Sequence, residues 1–317
     1  MKRFAAACLL AALCASPAAS QAADDTGGPV MSVPTGPVLP WVPPASMSVS
    51  QAAVLGVVEG LTEFLPVSST GHLAVAQSLM HLDATPQAKS ASDSYAICIQ
   101  AGAILAVLIV SFGRIKAMAR GLVGRDREGL RLLGSLAIAF LPAALIGFFF
   151  EDAVKQHLFG MWPIAGAWLV GGIFILVVLE GLRRKDGRPL EGLTWQAALV
   201  IGLSQALALW PGVSRSLATI SAAMLAGLAV SAAVEFSFLL GLVTLGAATV
   251  YEGARRGPEI IAAFGWVSPL VGFLFAAAAG FVAVRWMVAW LRTRSLAVFG
   301  WYRIAAAALA VLLAFRG

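Results

Sequence analysis

Six apolar stretches, near 95–112, 132–150, 162–181, 235–251, 265–287 and 297–315, constrain the fold of this chain more than any other feature. As helices each approaches or exceeds the length needed to cross a ~30 Å hydrocarbon core. A bilayer leaves two ways to satisfy every backbone N–H and C=O, a helical bundle or a closed barrel. The stretches here are continuously apolar rather than alternating, which argues against a barrel. Composition agrees: 60% of the residues are apolar and 12% are charged, against about 25% charged in a soluble domain. The expected fold class is therefore an all-α integral membrane protein, and 317 residues leave room for about six to eight segments of ~20 residues.

The net charge of +6 is read accordingly. In a membrane protein, basic residues mark cytoplasmic loops, and with no nucleic-acid-binding motif present no nucleic-acid partner is expected. The three cysteines exclude a disulfide framework, because Cys8 and Cys14 lie in an N-terminal leader and Cys98 lies in an apolar run. Residues 1–23 have the form of a secretory signal: Lys2-Arg3, an apolar core from Phe4 to Ala15, then small residues from Ala18 to Ala23. Residues 24–47 carry six prolines between Pro29 and Pro44 and are expected to form a solvated periplasmic linker. Residues 48–317 are the expected membrane domain.

Within that domain two shorter segments are broken. Segments 50–65 and 69–81 are separated by Pro66 and Ser68-Ser69-Thr70-Gly71; segments 195–210 and 214–229 are separated by Pro211-Gly212. Each arm of the first pair would be roughly 20–24 Å long, too short to cross, so each pair is expected to be a re-entrant helical hairpin. The breaks share local sequence. Gly56-Val57-Val58-Glu59-Gly60-Leu61 faces Gly202-Leu203-Ser204-Gln205-Ala206-Leu207, and Pro66-Val67-Ser68-Ser69-Thr70 faces Pro211-Gly212-Val213-Ser214-Arg215-Ser216. The chain thus divides into repeat one, 48–182, and repeat two, 194–317. Each holds one hairpin that returns and three spans that cross, and an odd number of crossings inverts the second repeat relative to the first.

Loop charges orient the bundle. Arg114, Lys116, Arg120, Arg125, Arg127 and Arg131 in loop 113–131, Arg183, Arg184, Lys185 and Arg188 in loop 182–194, and Arg285, Arg292 and Arg294 in segment 285–296 all fall on one side, which is assigned to the cytoplasm. Loop 151–161, with Glu151, Asp152 and Lys155, lies opposite; loop 252–264, with Arg255 and Arg256 beside Glu252 and Glu259, is close to balance. The first hairpin then enters from outside and the second from the cytoplasm, and their tips meet near the midplane.

Four ionisable residues at membrane depth are not explained by orientation: Glu59, Glu63, His72 and Arg215. Glu59 and Glu63 are four apart and share one helix face. Such a pair can hold a hard divalent cation or supply a general base, although a solvated helix face carries the same pattern. His72 suits acid–base work near neutral pH, or simple packing. Ser68, Ser69, Thr70, Ser214 and Ser216 sit where the second arms begin; as N-caps they would be structural, but the same helix starts present backbone N–H groups and a positive dipole end to an anion. Arg215 adds a guanidinium fork suited to phosphate oxygens, or to Glu59 or Glu63. No Walker A, HExxH or CxxC motif is present. The residue types point to phosphoryl chemistry or anion transport within the membrane.

The run Gly56-Val57-Val58-Glu59-Gly60-Leu61-Thr62-Glu63-Phe64-Leu65-Pro66-Val67-Ser68-Ser69-Thr70-Gly71-His72 resembles the signature of the undecaprenyl-diphosphatase family, the BacA-type bacitracin-resistance proteins. Pro211-Gly212-Val213-Ser214-Arg215-Ser216-Leu217-Ala218-Thr219 resembles that family's second element, and the resemblance spans about 48–317. It implies hydrolysis of undecaprenyl diphosphate to undecaprenyl phosphate and inorganic phosphate, which recycles the cell-wall lipid carrier and confers bacitracin resistance. It also implies a bacterial inner-membrane location, an active site facing the periplasm and a divalent cation, Mg²⁺ or Ca²⁺, at Glu59 and Glu63. By the same resemblance His72 carries a proton, Arg215 grips the diphosphate, and Ser68, Ser69, Thr70, Ser214, Ser216 and Thr219 line the pocket, with Ser69 the candidate nucleophile. Gln205 stands where the repeat places the counterpart of Glu59, as a polar liner. Two routes fit: attack by Ser69 assisted by His72, or attack by water activated by a carboxylate or metal. The expected partners are the polyprenyl diphosphate, the bilayer and a second copy of the chain. The rival reading is a polyprenyl-phosphate transporter or flippase, because inverted repeats with broken helices also serve transport.

Overall fold

A computed structural model describes residues 47–158, 160–182, 187–291 and 293–315, without the side chains of 86–87 and 151–157. The expected signal 1–23 and nearly all of the linker 24–47 lie outside the described residues, as do Arg183, Arg184, Lys185 and Arg292.

Eleven α-helices account for most of the described chain. Helix α1 (Val49–Thr62) opens on a capping box in which the Gln51 amide donates to Ser48 Oγ at 3.1 Å and the Ser48 amide donates to Gln51 Oε1 at 2.9 Å. It stops just before the first break, and α2 (Ser69–Leu79) follows. Helix α3 (Pro86–Val110) starts nine residues before the expected span, because Thr85 caps it and Pro86 fits its first turn. The basic loop 113–131 contains a helix of its own, α4 (Phe112–Leu122), which packs on α5 (Arg127–Leu158). Helix α6 (Met161–Phe174) ends in a π-turn, Ile175–Leu179. The second broken pair is α7 (Trp195–Gln205), extended by a 3₁₀ turn over Ala206–Leu209, and α8 (Arg215–Leu225). Helix α9 (Val230–Phe264) absorbs the expected outer loop 252–264, and α10 (Val267–Leu291) and α11 (Ala297–Ala314) complete the chain. The extension of α9 has a local cause: Glu252 and Arg256, four apart, form an ion pair at 3.5 Å that favours the helix.

Among the described residues, six helical segments are long and apolar enough to cross a bilayer: Ala88–Val110, Arg127–Phe150, Met161–Leu179, Val230–Phe264, Val267–Leu291 and Ala297–Ala314. Large apolar side chains such as Leu145, Phe148, Val170, Val177, Leu270 and Leu274 are exposed on them, the distribution expected when the surrounding solvent is lipid.

The pairings follow small residues. Helix α1 packs along α10, and α7 along α5; α3 pairs with α9, and α6 with α11. Close approach is possible because glycines meet backbone at the contacts. A Cβ at Gly60 would lie 2.7 Å from Gly280 N and 2.9 Å from the Ala279 side chain, and one at Gly202 would lie 2.8 Å from Ala139 Cα. The buried Tyr95 hydroxyl sits between the carbonyls of Ala52 and Ser268, at 3.2 and 3.1 Å, tying α3 to both α1 and α10. At one end of the bundle Arg114 bridges Glu191 at 2.8 Å and Glu235 at 2.7 Å, and the bond to Glu235 holds its guanidinium above the ordinary range.

Arg303 on α11 is fully buried. Its Nη1 donates to Pro66 O at 3.2 Å, and its Nη2 donates to Ala167 O and Gly212 O, both at 2.8 Å. One side chain therefore joins both breaks to α6. Hydrogen bonds from a charged donor are worth about 1.5–3 kcal/mol each, and removing one partner of a buried charged network costs several kcal/mol. Arg303→Met is expected to destabilise the protein by about 3 kcal/mol, read as a lowered unfolding midpoint in detergent. Gly60→Leu is expected to separate α1 from α10 and to lower the same midpoint; an unchanged midpoint would show that this contact is not tight.

Candidate functional site

The site forms where the two breaks meet. Ser68 and Ser214, the residues immediately before α2 and α8, both have left-handed backbone, with φ of 72° and 75°. Only a tightly determined environment holds a non-glycine residue there, and the same conformation recurs at matching points of the two breaks. Ser214 Oγ accepts from the Leu217 amide at 3.2 Å, which caps α8. Ser216 Oγ donates to Glu63 O at 3.3 Å, so the start of α8 is fastened to the end of α1.

Glu63 is the hub. Its Oε1 pairs with Arg215 Nη2 at 3.2 Å, and its Oε2 accepts from Ser69 Oγ. One carboxylate from the first break thus orients the arginine of the second break and the serine that begins α2. Both partners of the ion pair are nearly buried, with 9% of the Arg215 side chain and 4% of the Glu63 side chain exposed, so solvent screens it little. Arg215 is held on further sides. Nη1 donates to Ser237 O at 3.1 Å, and the guanidinium lies 5.1 Å from the centre of the Phe64 ring. Gly241 on α9 leaves the space the guanidinium fills, and a Cβ there would collide with it.

Glu59, one turn earlier on α1, is fully buried, and no donor among the described residues bonds either carboxylate oxygen. Two carboxylates against one guanidinium leave a negative charge unbalanced, and a buried acceptor without a donor is costly. Those two facts define a place for a cation or a proton. Gln205, the repeat counterpart of Glu59, is also buried; its Oε1 accepts from Thr244 Oγ1 at 3.3 Å, while its amide nitrogen has no acceptor among the described residues.

His72 lies one turn along α2 from Ser69, on the same face. Its Nδ1 is 2.7 Å from Ser68 O and its Nε2 is 2.7 Å from the Tyr302 hydroxyl. The imidazole stands between Trp168, at 4.8 Å, and Tyr302, at 5.6 Å between ring centres. Trp168 Nε1 in turn donates to Val67 O at 2.9 Å.

The expected site residues therefore separate into groups. Glu63, Ser69, Arg215 and Ser216 are joined by direct hydrogen bonds, with Glu59 beside them on α1 and Ser214 beside them at the start of α8. Ser68 supplies the carbonyl that holds His72. Thr70 is exposed on the first turn of α2. Thr219 is fully buried; its hydroxyl bonds Arg215 O at 2.9 Å and meets Ser237 Oγ at 2.7 Å, which places it behind Arg215. Sequence reasoning missed Arg303, Tyr302, Trp168 and Ser237. Arg303 carried a usable signal, since it is an ionisable residue inside the apolar stretch 297–315; the other three had none.

The family model described as bacitracin resistance protein BacA matches residues 52–309, which include both breaks and most of α11. The undecaprenyl-diphosphatase of Sorangium cellulosum (strain So ce56) is 45% identical over 267 residues, covering 83% of this chain and 85% of that protein. Undecaprenyl-diphosphatase 2 of Rhodospirillum rubrum is 43% identical over 272 residues, covering 84% and 95%. The undecaprenyl-diphosphatase of Verminephrobacter eiseniae is 40% identical over 258 residues, covering 80% and 90%. With six helices able to span a bilayer and a match of this extent, the chain is a multi-pass membrane protein that belongs to the BacA family of bacitracin resistance proteins.

Proposed function

We propose that this protein hydrolyses undecaprenyl diphosphate to undecaprenyl phosphate and inorganic phosphate, recycling the cell-wall lipid carrier and conferring bacitracin resistance. The observation that carries the proposal is the triplet of Arg215, Glu63 and Ser69, assembled from both breaks in a chain 45% identical to a protein named undecaprenyl-diphosphatase. Arg215 binds the phosphate oxygens and offsets the charge that gathers on them in the transition state. Ser69 Oγ attacks the terminal phosphorus as Glu63 takes its proton. The bond to the bridging oxygen breaks and undecaprenyl phosphate leaves. Water then attacks the phosphoserine and gives up a proton to His72, while Glu63 returns its proton to the departing Ser69 oxygen and His72 passes its own to the released phosphate. In the alternative route water attacks directly with Glu63 as base. The hydrogen bond from Ser69 to Glu63 supports the first route.

A divalent cation, Mg²⁺ or Ca²⁺, fits the residues present. Among the described residues no group of three His, Cys, Asp or Glu side chains could hold a metal. Glu59 and Glu63 would hold it through hard carboxylate oxygens, the donor type such a cation takes. When bound, the cation supplies Lewis-acid neutralisation of phosphate charge. The two buried oxygens of Glu59 without a donor support this assignment.

The proposal includes an inverted repeat with α1–α2 and α7–α8 as re-entrant hairpins. Its support is the matched set of pairings, α1 on α10 with α7 on α5, together with the paired left-handed serines. Basic loops on one side support an inner-membrane orientation with the site open to the periplasm. A homodimer belongs to the same reading of the assembly, although every group named in the chemistry comes from one chain. A transporter would use the same breaks, but the carboxylate pair favours hydrolysis, since anion binding gains nothing from it.

Phosphate release by the purified protein in detergent tests the function. Glu63→Gln and Arg215→Ala are each expected to lower it at least about 100-fold; full activity in both would remove these residues from the site, and no release by the wild type would favour transport. Chelator is expected to abolish release and added Mg²⁺ or Ca²⁺ to restore it. For the route, labelled substrate should leave a trapped phosphoserine at Ser69. Its absence in active enzyme, with oxygen-18 from water entering phosphate in one turnover, would establish direct attack by water.

A further inference from the structure

The hydrogen bonds around His72 fix more than its position. Ser68 O is a carbonyl and can only accept, so the neutral imidazole carries its proton on Nδ1. Nε2 then holds the lone pair, and the Tyr302 hydroxyl 2.7 Å away must be the donor. The opposite tautomer would set the Nδ1 lone pair against the carbonyl of Ser68 and lose that bond.

We propose that Tyr302 is a positioning residue for the reaction: with the Nδ1–H tautomer set by Ser68 O, its hydroxyl holds the Nε2 end of the imidazole in a fixed direction and turns from donor to acceptor when Nε2 receives a proton. The imidazole is thereby gripped at both ends. One end is fixed to the left-handed Ser68 at the first break, and the other to α11 at the far end of the chain. Helix α11 is itself held to the breaks by the next residue, Arg303, which bonds the carbonyls of Pro66 and Gly212. Two consecutive side chains of α11 thus have different tasks. Arg303, pointing into the protein, fixes the helix against both breaks; Tyr302, on the half-exposed side, uses that fixed register to reach His72. Trp168 and the Tyr302 ring leave the imidazole little freedom to turn, so the hydroxyl meets Nε2 in a stable direction. The inference rests on the reading of His72 as the group that receives a proton.

Tyr302→Phe removes one oxygen and keeps the ring, so packing is preserved. Steady-state phosphate release is measured for the wild type, Tyr302→Phe, His72→Gln and the double variant. The expected result is a fall in kcat of about 10- to 100-fold for Tyr302→Phe with KM unchanged, and no further fall when the substitution is made in the His72→Gln background. An equal fall in both backgrounds would mean that Tyr302 acts on the structure and not through His72, and would overturn the proposal. Unchanged kcat in Tyr302→Phe with impaired His72→Gln would overturn it while leaving the role of His72 intact. Unchanged kcat in His72→Gln would remove His72 as the proton acceptor, and the role of Tyr302 with it.

Discussion

Breaking a helix inside an apolar environment strands carbonyls and amides that water would otherwise satisfy, and the rest of this structure depends on how that is resolved. The first break leaves Pro66 O to be satisfied, and the second leaves Gly212 O. Both are answered by a single guanidinium, Arg303, which also bonds Ala167 O on α6. Val67 O is taken by Trp168 Nε1 and Ser68 O by His72. The breaks are therefore held by side chains from α2, α6 and α11, and their helix starts come to face one another as a consequence.

The charges of the site follow from the same geometry. The end of α1 brings Glu63 to the start of α8, so Arg215 and Glu63 meet although each belongs to a different broken pair. Ser69, at the start of α2, meets the other oxygen of the same carboxylate. Glu59 is left buried, with no donor to either carboxylate oxygen among the described residues.

Much of the architecture was legible in the sequence because periodicity and apolar length are local properties. The six spans, the positions of both breaks and the pairing of Glu59 with Glu63 on one helix face all depend on neighbours within about two turns. The limits were equally local. Loop 252–264 was read from its charges, yet Glu252 and Arg256 are spaced to support a helix, and α9 runs through them. Loop 113–131 was read as basic and connecting, yet its first part is the helix α4. Thr219 was read as lining the pocket from its place in a motif, whereas its buried hydroxyl lies behind Arg215, against Ser237.

The sequence by itself determined that the chain is a membrane helical bundle with two interrupted segments and a few ionisable groups at their centre, since the solvent penalises any other use of such residues. Only the tertiary structure decided the partnerships: Glu63 and not Glu59 as the partner of Arg215 and Ser69, Arg303 as the link between the breaks, and Tyr302 as the partner of His72. The physical reason is separation along the chain. His72 and Tyr302 are 230 residues apart, and Arg303 and Pro66 are 237 apart. No local pattern records which two distant helix faces will meet; packing of small residues along α1 and α10, and along α6 and α11, fixes that when the chain folds.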